Sequence, residues 1–151
     1  MTVRTFTTFS TDLPDHAVET ADGMDFIQWP GRNVVQVIAD LLRAIGWTPD
    51  DPLDLEERGW DLDAHCGRRM IRMRIEFIEE VIVMITDRTP DRTWYFKRKP
   101  PGPVFVGMLV GLDAAMKADG RFRNIRWFTP EGYDSQTEAG SPVPVEVDGG
   151  I

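Results

Sequence analysis

Between Val34 and Ile45 the apolar residues Val34, Val35, Val37, Ile38, Leu41, Leu42 and Ile45 recur at spacings of three and four. That period predicts an amphipathic helix with one buried stripe. It is expected to begin after Pro30 and to stop at Gly46, because glycine adopts the left-handed cap without strain. A second stripe of Val104, Phe105, Met108, Leu109, Leu112, Ala115 and Met116 follows the prolines at 100, 101 and 103 and closes at Gly120. Gly107 and Gly111, four apart on this helix, point to close packing of helix on sheet.

Other segments carry strand chemistry. Residues 2–9, rich in threonine, valine and phenylalanine, read as a first strand, and residues 10–29 as a loop. The best-specified unit is a hairpin turning at Gly67-Arg68. A two-residue turn there sets Cys66 against Arg69, and counting back opposes Ala64 to Ile71, Leu62 to Met73 and Trp60 to Ile75 on one face. The other face then pairs Asp63 with Arg72 and Asp61 with Arg74, so a single register matches apolar with apolar and acid with base. Residues 81–86 are apolar on both faces, which suits a central strand or a second covered surface. Residues 94–97 and 123–128 read as further strands. From about 131 onward glycine, proline, serine and acids dominate, too poor in large apolar groups to offset chain entropy, so residues 131–151 are expected to be a disordered tail. Within it, alternating Val143, Val145 and Val147 could add as a strand to a partner's sheet, though an unstructured end is the favoured reading.

The pattern therefore predicts a two-layer α+β domain over residues 1–130, with two helices on a mainly antiparallel sheet of about five or six strands. Composition agrees. The chain has 151 residues, 42% hydrophobic and 28% charged, enough for one ordinary core. Its longest apolar run, residues 104–112, is too short to span a membrane, and the single cysteine with no leader-like start suggests a reducing, cytoplasmic setting.

Net charge is −8, but its placement is more informative. Residues 1–29 hold five acids against Arg4, residues 131–151 hold five acids and no base, and the stretch between them is nearly neutral. Inside that middle, Asp50, Asp51, Asp54, Glu56, Glu57, Asp61 and Asp63 precede the hairpin turn, whereas Arg68, Arg69, Arg72 and Arg74 follow it. Lys97-Arg98-Lys99 with Arg121, Arg123 and Arg126 forms a second basic group, best read as a charge-guarded sheet edge. It lacks the aromatic interleaving that stacks on bases, so nucleic acid is a poor partner.

Catalytic signatures are missing from the sequence: no glycine-rich phosphate loop, no metal-spaced cysteines, no H-E-x-x-H and no G-x-S-x-G. No cofactor is expected. The one constellation with chemistry is Asp61, Asp63 and His65, which share a strand face and could hold a cation or combine carboxylate with imidazole. Cross-strand arginines already occupy both aspartates in the register above, which favours a structural role. Cys66 points to the opposite face from His65 and reads as a small, semi-buried side chain. Glu79 and Glu80 sit where the next hairpin turns, and solvation accounts for them; His16 lies in an acidic loop and is assigned no role.

The order of Ala44-Ile45-Gly46-Trp47, an acidic proline-containing loop, Arg58-Gly59-Trp60-Asp61-Leu62-Asp63 opening a meander, then a helix and a last strand resembles uncharacterised small bacterial α+β proteins, loosely of the immunity-protein type. The similarity spans residues 31–130 and is one of pattern and size. It implies a role in binding another protein and transfers no functional residue. The expectation is thus a non-enzymatic inhibitor or antagonist that meets a basic protein surface at Asp50 to Asp63. Two rivals are a metal-dependent hydrolase using Asp61, Asp63 and His65, and a homodimer formed through Val81, Val83 and Ile85 on an exposed second sheet face.

Overall fold

A computed structural model describes residues 1–14, 17–89 and 101–147. In chain order the first elements are β1 (Thr2–Val3), β2 (Phe6–Thr11), β3 (Val18–Glu19), β4 (Phe26–Gln28) and α1 (Arg32–Ala44). Then come β5 (Thr48–Pro49), β6 (Leu53–Asp54), a 3-10 turn (Glu56–Arg58), β7 (Trp60–Cys66), β8 (Arg69–Phe77) and β9 (Val81–Asp87). The chain closes with α2 (Pro103–Asp119), β10 (Phe122–Phe128), α3 (Pro130–Asp134) and β11 (Val145–Glu146). The expected strand at 94–97, the Lys97-Arg98-Lys99 group and His16 lie outside the described residues.

The β7–β8 hairpin has the register that the sequence predicts, from Trp60 opposite Ile75 to Cys66 opposite Arg69. It belongs to a seven-stranded antiparallel sheet in the order β10, β2, β9, β8, β7, β5, with β6 also paired to β7. Strand alternation sends successive rows to opposite faces. One row runs Trp60, Ile75, Val83, Thr7, Trp127 and is buried throughout. The next, Asp61, Arg74, Met84, Phe6, Phe128, points the other way. Val35, Ile38 and Leu42 of α1 join Leu109, Leu112 and Met116 of α2 against the first face in one core. The fold is α+β with a mainly antiparallel sheet as expected, but it has a third, short helix, α3, beyond the two expected, and a seventh strand, with Thr48–Pro49 and Leu53–Asp54 both extending the sheet beyond β7.

The apolar stripes end where glycine allows. At α1, Gly46 has φ +95°, its N–H bonds Arg43 O and the Trp47 N–H reaches back to Leu42 O, so the last carbonyls are satisfied. A Cβ at Gly111 of α2 would stand 3.5 Å from the Ile45 side chain just after α1, an ordinary contact distance, and one at Gly107 would meet open space, so neither glycine marks close packing of the helix on the sheet.

Three expectations are corrected. Residues 10–29 are not all loop: β3 and β4 pair as a short hairpin arm. Val81, Val83 and Ile85 do not form an exposed face, because the turn at residues 78–80 sets Phe77 opposite Val81 and puts all three under the helices. The homodimer rationale built on their exposure therefore falls. The segment 131–147 is not a free tail. Val145 pairs with Val3, Ser141 exchanges both backbone bonds with Trp127, and Arg4 reaches Glu138 and Glu146. Burial alone would raise Glu138, but hydrogen bonds from Arg4 and from the Thr129 N–H and hydroxyl outweigh it and hold the carboxyl below its usual range. Polar contacts to distant parts of the chain thus supply the order that the segment's own composition does not.

Candidate functional site

The residues singled out in the sequence divide among three places. Asp50, Asp51 and Asp54 are exposed along the β5–β6 edge, where acids and prolines discourage a further strand from pairing. Asp61 and Asp63 lie on the open sheet face. Arg74 donates to both oxygens of Asp61, which is 6% exposed, and Arg72 donates to Asp63 at 2.7 and 3.0 Å. His65 is exposed at the end of the strand. Among the described residues no three His, Cys, Asp or Glu side chains are grouped to hold a metal ion. Both aspartates of the hydrolase reading are therefore already engaged by guanidinium groups. Glu56 and Glu57 are exposed in the 3-10 turn and belong to a different surface.

The Arg72 fork holds the Asp63 carboxyl below its ordinary 3.8. A depressed folded value means this pair stabilises the fold above the unfolded pKa and ceases to do so as pH falls through the folded one. Urea unfolding of wild type and Asp63→Asn is expected to differ by a constant amount above about pH 5 and to converge in more acid solution. A gap that stays constant down to pH 2 would show that the pair contributes no such linkage.

The surface that Glu56 and Glu57 share is the sheet end carrying the β8–β9 turn. Pro30 and Gly31 are clamped there. The Trp60 indole donates to Pro30 O at 2.9 Å, and Gly31, at φ +99°, lies so close to the Phe77 ring that a Cβ would stand 2.2 Å from it. Phe77 and Ile78 line both of two clefts at this end and form the ridge that the clefts share. The first cleft, about 230 Å³, is walled by Phe9, Val34, Phe77 and Val81, with Glu79 and Glu80 among its lining. The second, about 410 Å³, lies against Trp29, Pro30, Phe77 and Ile78, with Glu56, Glu57 and Glu76 around it and Arg58 as the one base. Ile78 is 75% exposed, and Met24 and Ile27 on the β3–β4 arm are also mostly exposed.

Five carboxylates thus line the two clefts, none of them in an ion pair among the described residues. Their field reaches Tyr133, whose phenol is raised first by burial and then by Glu76, Glu80 and Asp134. Among the described residues of either lining there is no histidine, cysteine or lysine. The arrangement offers apolar contact and negative charge, and its described groups include no paired nucleophile and base. The sequence pattern singles out Glu56, Glu57, Glu79 and Glu80 but neither Glu76 nor Phe77-Ile78. The available signal was two large apolar residues directly before Glu79-Glu80, at a turn where small or polar residues are the rule.

No family model, curated protein or solved structure matches the chain.

Proposed function

We propose that this chain is a non-enzymatic protein-binding module that docks another protein on the Phe77–Ile78 ridge and its flanking clefts, acting as an inhibitor or immunity-like antagonist. The observation carrying this reading is the exposed Ile78 beside half-buried Phe77, set among carboxylates that form no ion pair among the described residues. Solvent-exposed isoleucine at a hairpin turn contributes nothing to this fold's core, whereas apolar side chains ringed by charge are the ordinary anatomy of an interface. Charge complementarity specifies the partner as one with a basic surface around an apolar contact. Among the described residues no helix is long and apolar enough to cross a membrane, and the free thiol of Cys66 suits a reducing cytoplasm.

A photo-crosslinking amino acid placed at residue 78 is expected to trap a defined partner in a lysate of the source organism. The same group at residue 68, in the β7–β8 turn at the far end of the sheet, is expected to trap none. Ile78→Asp should abolish co-purification of that partner without lowering thermal stability, because the side chain is exposed. Equal labelling from both positions, or capture indifferent to Ile78→Asp, would place the interface elsewhere.

A further inference from the structure

We infer that the partner's docking segment presents two basic side chains, one to each cleft, straddling the Phe77–Ile78 ridge. The inference rests on the docking reading above and specifies its chemistry. A long basic side chain buries its methylene stem on apolar surface while its charged head stays near water or an anion. Each cleft has that division of labour. In the first, Leu13, Pro14, Pro30 and Phe77 offer the apolar surface and Glu79 and Glu80 the anions. In the second, Trp29 offers an aromatic surface and Glu56, Glu57 and Glu76 the anions, and an indole attracts a cation as well as an alkyl stem. A purely apolar occupant would leave these carboxylates beside hydrocarbon and partly desolvated.

One cation cannot serve both places. Among the described residues these carboxylates do not converge in the way a shared metal ion needs, and the ridge stands between the two sets. Separate point charges on one chain meet that geometry. Two contacts on one segment also make the second encounter intramolecular, so spacing between the basic residues becomes a determinant of affinity.

The test uses fluorescein-labelled octapeptides in a leucine and alanine background, with two lysines separated by zero to four residues. Control peptides carry norleucine at one or both lysine positions. Fluorescence anisotropy against the full chain is expected to show one preferred spacing, binding at least about tenfold tighter than either single-lysine control. Glu79→Gln/Glu80→Gln should reduce that peptide to single-lysine affinity, and Glu56→Gln/Glu57→Gln should do the same independently. All four substituted positions are exposed, so folding is not expected to interfere. Affinity that follows lysine number without regard to spacing, or no peptide binding at all, would overturn the inference. The crosslink from residue 78 separates the two levels. If it persists in both glutamine variants, docking on the ridge stands and the two-cation reading falls; if no partner is trapped in wild type, the docking reading itself falls.

Discussion

Asp113→Ala is expected to destabilise the domain by about 3 kcal/mol, although the residue lines neither cleft of the proposed interface. Asp113 is 6% exposed on α2 and receives two hydrogen bonds, from the Trp127 indole at 2.9 Å and from Lys117 Nζ at 2.8 Å. Trp127 has no exposed surface, so losing the carboxylate leaves its N–H without a partner in the core. Lys117 keeps a second acceptor, Pro142 O at 2.6 Å, and is half exposed, so its share of the loss is small. Asp113→Asn retains an acceptor for the indole and should cost only about 1 kcal/mol. Urea unfolding of both variants separates the contributions: equal losses would mean that the indole bond is not the larger one. Because Lys117 also grips the segment after Ser141, faster amide exchange over residues 141–147 is expected in the alanine variant.

That segment shows where sequence reading ended. The β7–β8 register was legible because Gly67 fixes a two-residue turn and strand parity then assigns every side chain from Trp60 to Ile75. The two long helices, α1 and α2, were legible because their apolar stripes have the helical period and close on Gly46 and Gly120, whereas the five-residue α3 is too short to show that period. The fate of residues 131–147 depends instead on Arg4, Lys117 and Thr129, partners remote or polar enough to leave no local periodic signal. The same blindness misassigned Val83: its face follows from the length of the turn at 78–80, which apolar residues on both faces of the strand could not fix.

The candidate site was half legible for a related reason. Glu56 and Glu57 stood out as part of an acidic run, but that run is divided between a sheet edge, an open face and a cleft. Trp29, Pro30, Phe77 and Ile78 meet only because the topology brings the start of α1, the 3-10 turn and the β8–β9 turn to one sheet end. Each segment alone reads as an ordinary connection, and only their convergence makes a surface.

Gly59 is where that convergence is least tolerant, and Gly59→Ala is expected to cost about 3–5 kcal/mol. Its backbone, at φ +92° and ψ −142°, is essentially reserved for glycine. A Cβ there would also stand 2.1 Å from the carbonyl oxygen of Ile75, an atom held in the β8 ladder that cannot swing aside as a side-chain terminus could. Gly46→Ala provides the comparison. Gly46 also has positive φ, +95°, but nothing lies within 4 Å of its Cβ direction, so conformational strain of about 1–2 kcal/mol is expected there alone. The excess at Gly59 therefore measures close backbone approach. Gly59 lines the second cleft and directly precedes Trp60, whose indole holds Pro30, so forcing the chain away from Ile75 shifts both walls of that cleft. Partner capture from residue 78 should weaken in Gly59→Ala even at temperatures where the variant remains folded, whereas Gly46→Ala should leave it unchanged. Matching unfolding energies for the two variants would refute the close-approach argument, and intact capture in a folded Gly59→Ala would separate the cleft from the interface.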